Sequence, residues 1–481
     1  MKTIFEDVTC DDLFRRYREE RVAYWNQYKR TRAGNQYRGR LTEIYRSFIQ
    51  RGRRVLEVGC GHGDLLDAVE PAVGVGVDFS PTMAEVASQR YPKRKFIVAD
   101  AHELNLHEEF DYIILSDLVN ELWDVQRVLE RLLPLCSYGT RVVINTYSRV
   151  WEVPLGVARW LRFASPVLEQ NWLTREDLAN LLQLAGFDVI RECREILWPL
   201  RTPFLDSLCN RYLVKIPPFS SFALTNFIIA RPTVCPNLDR RQDASVSVIV
   251  PARNEADNID DILRRVPEMG KGTEIIFVEG DSTDDTYGAI ERAIARYQNR
   301  RCKLLRQTGK GKGDAVRAGC GLSEGDVLMI LDADLTVSPE SLPRFYHALI
   351  SGTGEFVNGV RLVYPMEDRA MRFANLIGNK FFSWAFSWLI GQKIKDTLCG
   401  TKVLRREHYL RIAENRSFFG DFDPFGDFDL IFGAARLNLK FVDLPVRYRE
   451  RVYGQTNIQR WRHGWLLLKM VFFASRRIKF T

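Results

Sequence analysis

The sequence has no CxxC pair, no low-complexity tract, no internal repeat and no long uncharged apolar run. Each absence removes a class of protein. Its nine cysteines, an odd number, are scattered at positions 10, 60, 136, 193, 209, 235, 302, 320 and 399. That scatter argues against a zinc site or a disulfide framework and predicts a reducing compartment. A spanning helix needs about 18 or more apolar residues in a row. The two most apolar stretches, 381–390 and 465–474, are bracketed by Lys380 and Lys393 or interrupted by Lys469. The opening Met1-Lys2-Thr3-Ile4-Phe5-Glu6-Asp7 turns acidic at once and lacks the apolar stretch of a secretory signal. These absences predict a globular, cytoplasmic protein. Acidic side chains are scarce in one place: from Arg436 to the end there are 2 against 11 basic ones. The overall charge of +8 is therefore a C-terminal feature, since residues 1–232 hold 31 basic and 30 acidic side chains. A nearly neutral first half excludes a nucleic-acid partner, which needs phosphate neutralisation. The basic end predicts attraction to anionic lipid or phosphate, against the plainer alternative of a solvated basic face.

At 481 residues the chain is too long for one ordinary core. The stretch 231–245 holds two prolines and no period, so it reads as a join. This gives a first domain over 1–232, a linker over 233–244 and a second domain over 245–481. On both sides apolar strand-like runs alternate with helical segments, the pattern of parallel α/β architecture. Strands are expected at 54–58, 74–77, 95–98, 112–116, 141–146, 189–197 and 222–230 in the first half. In the second they are expected at 246–250, 274–278, 302–306, 327–331 and 356–360. Helices are expected at 175–185, 256–266, 286–297 and 312–319, with a helical cap over 1–50.

The run Val55-Leu56-Glu57-Val58-Gly59-Cys60-Gly61-His62-Gly63-Asp64 is a strand entering a loop whose glycines are two apart. A dinucleotide loop spaces its third glycine one residue later, to set a helix N-terminus against a pyrophosphate. A G-x-G-x-G turn instead lets the backbone pass close to a ligand without phosphate, because no Cβ intervenes. Asp78 ends the next strand, where a carboxylate accepts hydrogen bonds from two ribose hydroxyls. Asp100-Ala101 ends the third strand and Ser116-Asp117 the fourth. This set resembles the class I S-adenosylmethionine (SAM)-dependent methyltransferases over residues 40–230. The resemblance implies a Rossmann-like fold with Glu57, Gly59, Gly61, Asp78, Asp100 and Ala101 binding SAM, and Asp117 beside the reactive methyl. His102, Asp117, Asn120, Glu121 and Tyr147 are the candidate bases at the strand ends.

In the second half, Val246–Ala252 leads into Arg253-Asn254-Glu255, and 274–278 into the acid-rich Glu279-Gly280-Asp281-Ser282-Thr283-Asp284-Asp285. A flexible basic loop, Gly309-Lys310-Gly311-Lys312-Gly313, follows, and then Leu331-Asp332-Ala333-Asp334 closes a fourth strand. Carboxylates at i and i+2 leave a strand on one side and offer hard oxygen ligands to Mg²⁺ or Mn²⁺. Such a metal neutralises an expelled diphosphate. With Asp396-Thr397-Leu398-Cys399-Gly400-Thr401-Lys402 and the 447–457 segment, the set resembles the inverting family 2 glycosyltransferases of GT-A fold. Within that family it is most similar to the dolichol-phosphate mannose synthases. The resemblance implies Pro251, Arg253, Asn254 and Glu255 in the nucleoside pocket, with Glu279 and Asp281 beside it. It further implies Asp332 and Asp334 on the metal, and Lys310, Arg449 and Arg451 on phosphates of a UDP- or GDP-linked sugar. Two departures stand out: Glu279-Gly280-Asp281 where the family has Asp-Asp-Gly, and Asn457 in place of a lysine. Asp396, Asp427 and Asp429 are the candidate acceptor-side bases. A lipid-phosphate acceptor would need none, because its oxyanion is already nucleophilic.

In 369–390, Arg372, Asn375, Asn379, Ser383 and Ser387 form one polar stripe at helical spacing. In 461–481, Trp461, Trp465, Leu468 and Phe472 form an apolar stripe, and Arg462, Lys469 and Arg476 a basic one. Both segments suit amphipathic helices on the inner face of a membrane, or else packing on the domain core. The sequence thus predicts a bifunctional enzyme whose acceptor is a polyprenyl phosphate or another glycan or lipid. The alternative is a glycosyltransferase whose first domain is a SAM-binding regulatory or scaffolding module.

Overall fold

The computed structural model describes residues 10–27, 32–161, 168–233, 243–361, 363, 373–416, 427–448 and 460–480. The chain forms two compact units, Met1–Asn237 with Phe480–Thr481, and Leu238–Lys479. Each is built on one seven-stranded sheet.

In the first unit the strands are β1 (Arg54–Val58), β2 (Val73–Asp78), β3 (Lys95–Val98), β4 (Phe110–Ser116), β5 (Cys136–Tyr147), β6 (Phe187–Glu195) and β7 (Thr225–Pro232). Their order is β3-β2-β1-β4-β5-β7-β6. β1 to β5 run parallel, and β7 is antiparallel to both β5 and β6. Adjacent residues alternate between two cores: Leu56 and Ile113 pack on one face, Val55 and Ile114 on the other. Strands buried on both faces read as continuous apolar runs, which is why they were legible. Two helices precede the sheet, α1 (Cys10–Gln27) and α2 (Arg32–Phe48). α2 buries Leu41, Ile44, Tyr45 and Phe48, a helical spacing, against Val55, Tyr112 and Phe227. The chain order reverses beside β1, the switch point at which such sheets bind ligands beyond their C-terminal strand ends.

In the second unit the strands are β8 (Val246–Ala252), β9 (Thr273–Glu279), β10 (Arg301–Arg306), β11 (Val327–Ile330), β12 (Phe356–Val360), β13 (Lys402–Arg405) and β14 (Phe441–Pro445). The order is β10-β9-β8-β11-β13-β12-β14, with β8 to β11 parallel and β13 antiparallel to both its neighbours. β13 and β14 are absent from the sequence expectations. Lys402 and Arg405 interrupt the apolar pattern of β13, yet both are buried, and the Lys402 ammonium donates to the Cys399 carbonyl.

Where its side chains are described, the helix Phe373–Ile390 turns the polar stripe inward; Arg372 and the side chain of Asn375 lie outside the described residues. Asn379 and Ser383 are buried: Asn379 Nδ2 donates to Asp396, Ser383 Oγ to the Lys395 carbonyl at 2.6 Å, and Ser387 Oγ accepts from Ile394 N at 3.0 Å. The stripe holds the 394–398 turn instead of facing water. Phe381 and Trp384 of the same helix are exposed.

Candidate active sites

In the first unit the C-terminal ends of β1 to β4 open on a pocket. Its wall is made by Val58 and Gly59, by Val77, Asp78 and Phe79, by Ala99, Asp100, Ala101 and His102, by Leu118, Glu121 and Leu122, and by Phe14, Tyr17, Arg18 and Arg21 of α1. Gly59, Gly61 and Gly63 have φ of 75°, 51° and 75°, a left-handed conformation that side chains other than glycine's disfavour. A Cβ on Gly59 would sit 2.9 Å from Leu118, and one on Gly63 would lie 2.6 Å from Phe96, whereas Gly61 faces open space. Asp78 braces this loop: Oδ2 accepts from Gly61 N at 2.8 Å and Oδ1 from Ser80 N at 2.9 Å. Burial pushes its carboxyl pKa up, against these two hydrogen bonds. The helix after the loop, Asp64–Ala68, already carries Asp64 and Asp67 in its first turn. Both carboxylates are engaged by the following segment: Asp64 by Arg90 at 2.9 Å and the Tyr91 hydroxyl at 2.7 Å, Asp67 by Arg94 at 3.0 Å.

Asp100 caps the next turn through His102 N at 2.9 Å and bonds His102 Nδ1 at 2.7 Å. Burial alone would raise its pKa, but His102 and Arg18 outweigh it and hold the carboxyl below its usual range. His102 Nε2 accepts from Asp124 N at 3.2 Å, so Nδ1 carries the proton. Both ring nitrogens of His102 are thus committed within the fold, although the residue lines the pocket. Asn120 is likewise committed, to Tyr147 N at 3.1 Å and the Asn171 carbonyl at 2.8 Å. Three of the residues assigned to SAM, Glu57, Gly61 and Asp117, lie off the pocket wall. Glu57 is buried in β1 with its pKa pushed well up, and its Oε2 lacks a hydrogen-bond partner among the described residues. Asp117 has φ of 55°, accepts from the Tyr37 hydroxyl at 2.9 Å and from Asn145 Nδ2, and is pushed by burial to about 6.

The contribution of α1 escaped the sequence, which marked 1–50 only as a cap. Arg21 lies 3.4 Å over the Tyr17 ring, and both side chains donate to the Glu121 carbonyl. Trp25 Nε1 donates to Glu121 Oε2 at 2.8 Å, and burial raises that carboxyl to about 7. The one available signal was the aromatic and arginine content of a segment with no apolar core stripe.

In the second unit the ends of β8, β9 and β10 lie level, with Ala252 opposite Glu279 and Glu279 opposite Arg306. Asn254, at φ 57°, accepts from Thr283 N at 2.8 Å and donates its own N–H to Ser282 Oγ at 3.0 Å. Glu279 Oε1 accepts from Ser282 N at 2.7 Å, and Glu255 from Asn258 Nδ2 at 2.7 Å. Asn254, Glu255 and Glu279 thus brace the two loops, while Arg253 and Asp281 are exposed and Pro251 is half-buried. Asp332 follows β11. Lys312 Nζ lies 2.6 Å from its Oδ1, and a Cβ on Gly400 would fall 2.0 Å from its Oδ2. Burial would raise the Asp332 pKa, but Lys312, Lys402 and Arg361 hold it below its usual range. Asp334 Oδ1 accepts from Thr336 N at 3.1 Å and Thr336 Oγ1 at 2.8 Å. Lys310, the lysine expected to matter, is exposed on its loop; Lys312, two residues on, is the one at Asp332. Among the described residues no group of three or more His, Cys, Asp or Glu is placed around one metal position.

Asp396 is wholly buried. It accepts from Arg361 Nε at 2.7 Å, Arg361 Nη2 at 2.8 Å, Arg361 N at 3.1 Å, Asn379 Nδ2 at 3.0 Å and Leu398 N at 3.1 Å. Burial would raise its pKa, yet the Arg361 charge and these donors hold it at about 2. Its five donors and the Arg361 fork show Asp396 as the anchor that holds Arg361 and the 394–398 turn. Asp429 is buried and paired with Arg416 at 2.9 Å. The side chain of Asp427, and Arg449, Arg451 and Asn457, lie outside the described residues.

Two family models match the chain: a methyltransferase domain over residues 24–192 and glycosyl transferase family 2 over 247–412. Relatives of the second half include glycosyltransferase AglJ of Haloferax volcanii, 27% identical over 48% of this chain and 72% of that protein. They also include the undecaprenyl-phosphate 4-deoxy-4-formamido-L-arabinose transferase of Edwardsiella ictaluri, 27% identical over 44% and 62%. A third is the dolichol-phosphate mannosyltransferase of Pyrococcus furiosus, 27% identical over 49% and 67%. The chain spans about two thirds of the length of these relatives. Among solved structures, a SAM-dependent methyltransferase of Thermotoga maritima aligns at TM-score 0.34 and 17% identity, over 45% of this chain and 99% of that one. Glucosyl-3-phosphoglycerate synthase of Mycobacterium tuberculosis aligns at TM-score 0.37 and 18% identity, over 52% and 85%.

Proposed function

From a chain that carries a methyltransferase domain followed by a family 2 glycosyltransferase domain, we propose a bifunctional enzyme. Its second unit transfers a sugar from a nucleotide sugar to a polyprenyl phosphate, and its first unit transfers a methyl group from SAM. The observation that carries the sugar-transfer reading is the Lys312–Asp332 pair, set among Lys402 and Arg361 and closed in by Gly400. Asp332 and Asp334 are hard oxygen donors, and the Lys312 ammonium 2.6 Å from Asp332 supports a site that accommodates positive charge. The donor set therefore fits Mg²⁺ or Mn²⁺, with the diphosphate and water filling the remaining positions. When bound, the metal would neutralise the charge of the departing diphosphate. Lys312 is the residue we assign to that diphosphate as well, in preference to Lys310. The exposed Arg253 and Asp281 would meet the nucleoside across the loops that Asn254 and Glu279 brace.

The acceptor class comes from the relatives named for undecaprenyl and dolichol phosphates. A phosphate oxyanion needs no base, which suits a site whose Asp396 is taken up by Arg361, Asn379 and Leu398 N. No helix among the described residues is long and apolar enough to cross a membrane. Trp384, Trp465 and Phe472 are exposed nonetheless, with Lys469 5.8 Å from the Trp465 ring and Arg476 4.4 Å from that of Phe472. We assign this aromatic and basic surface to peripheral contact with the lipid that bears the acceptor. Incubation with a panel of UDP- and GDP-sugars and polyprenyl phosphate should yield a lipid-linked sugar by mass spectrometry. No product with any pair would sink the reading.

For SAM, the support is the glycine loop and Asp78, whose carboxylate keeps lone pairs for ribose hydroxyls. Asp78→Ala should weaken SAM binding by about 10- to 100-fold in titration calorimetry, the loss of one or two hydrogen bonds to a charged acceptor. Unaltered affinity would take Asp78 out of the site. The second reading, a SAM-binding regulatory module, is favoured by the commitment of His102 and Asn120 to structure. Tight SAM binding with no methyl release on any membrane lipid fraction would establish it.

A further inference from the structure

β6 ends at Glu195 and β7 begins at Thr225, and those two residues pair directly. A tight hairpin loop would have joined them. The chain instead runs out through residues 196–224 and returns. Thr225 also pairs with Tyr147 at the end of β5, so this excursion leaves the sheet on the edge where Gly59, Asp78 and Asp100 stand. It is firmly pinned. Asn210 Oδ1 accepts from Leu197 N and Trp198 N, both at 2.8 Å, and its Nδ2 donates to the Trp198 carbonyl at 2.7 Å. Arg201 N donates to Gln36 of α2 at 2.9 Å, and Trp151 Nε1 to the Phe222 carbonyl at 2.9 Å. The last bond ties the excursion to the helix Glu152–Trp160.

These ordered segments turn large apolar groups outward. Phe204 is 92% exposed and held at φ 66°; Trp160 is 81% and Val153 72% exposed, with Leu208 and Phe222 about half out. Several large apolar side chains exposed on two tied segments mark a partner or a membrane. The charges along the two segments choose between them. Arg149, Arg159, Arg201 and Arg211 stand against Glu152 and Asp206, while Lys215 is paired inward with the buried Glu195. Bulky apolar side chains ringed by a basic excess complement an anionic lipid surface.

We propose that this face seats the first unit on an anionic bilayer. Its site edge then meets lipid-borne acceptors; that second step, unlike the seating itself, rests on the methyl-transfer reading above. The test is hydrogen–deuterium exchange on the full chain with phosphatidylglycerol/phosphatidylcholine vesicles and with phosphatidylcholine alone. Amides of 152–160 and 204–222 should gain protection with the anionic vesicles, and lose it at high salt. A Trp160→Ser, Phe204→Ser double variant should lose that protection while keeping SAM affinity and any protection at 465–472. A Trp465→Ser, Phe472→Ser variant should keep it at 204–222. No protection in the parent chain overturns the proposal, as does protection unchanged in the first variant. Vesicle-independent protection that rises with protein concentration, with a dimer in sedimentation, would assign the face to a second copy instead. Protection without SAM binding would leave the seating intact and fail the methyl-transfer reading alone.

Discussion

Asp332→Ala should lower sugar transfer by about 10²–10³-fold, the scale of losing one group that stabilises charge in the transition state, and leave SAM binding unchanged. The reason lies in what surrounds the carboxylate. Lys312, Lys402 and Arg361 all act on Asp332, and Lys312 touches it at 2.6 Å. Removing the anion leaves those cations facing the leaving diphosphate without the group that organises them. Lys312, released from its partner, can still attract the nucleotide, so the loss should fall mainly on kcat and less on KM. Asp332→Asn, which keeps the shape beside Gly400 but not the charge, should be nearly as poor. The rate and KM of lipid-linked product formation check the split, and calorimetry with SAM checks the first unit. Transfer at the parent rate in Asp332→Ala would remove the metal and diphosphate assignment together.

What could be foreseen here followed from how strictly the backbone constrains a residue. The loop at Gly59, Gly61 and Gly63 was legible because its φ values admit little else, and the parallel strands because burial on both faces leaves an unbroken apolar run. β13 and β14 were not, since Lys402, Arg405 and Asp443 sit in strands whose polar groups are satisfied only by tertiary partners. The polar stripe of Phe373–Ile390 had the right period, but period alone does not say which side is wet. Here Asn379, Ser383 and Ser387 serve the turn that carries Asp396. The sequence reading singled out Lys310 and passed over Lys312 for a similar reason. Both lie in one glycine-rich loop, and only the start of the helix Lys312–Leu322 decides which ammonium meets Asp332. α1 was the largest omission, because Tyr17, Arg21 and Trp25 act on Glu121, about a hundred residues away in sequence.

The buried Arg361–Asp396 pair should be the most sensitive point of the second unit's stability. Arg361→Met keeps bulk but strips both guanidinium bonds from a carboxylate that is wholly buried, leaving only Asn379 Nδ2, Leu398 N and the backbone N–H of residue 361 as donors. Breaking a buried pair from one side costs about 3–5 kcal/mol, roughly a 10 °C fall in that unit's melting transition. The pH dependence identifies the cause. In the parent chain the carboxyl is held at about 2, below its unfolded value. Its contribution is therefore present above the unfolded pKa of about 4 and lost as pH falls toward 2. Without Arg361, burial dominates and raises the folded pKa above the unfolded one, so acid relieves the variant by protonating Asp396. The gap between the two proteins should be widest near pH 7 and narrow by pH 4, as read by calorimetry at both. Arg361→Lys should fall between them, since a point charge replaces a fork that bonds both carboxylate oxygens. A gap that stays constant with pH would mean the loss is one of packing, and that Asp396 is not the charge Arg361 holds.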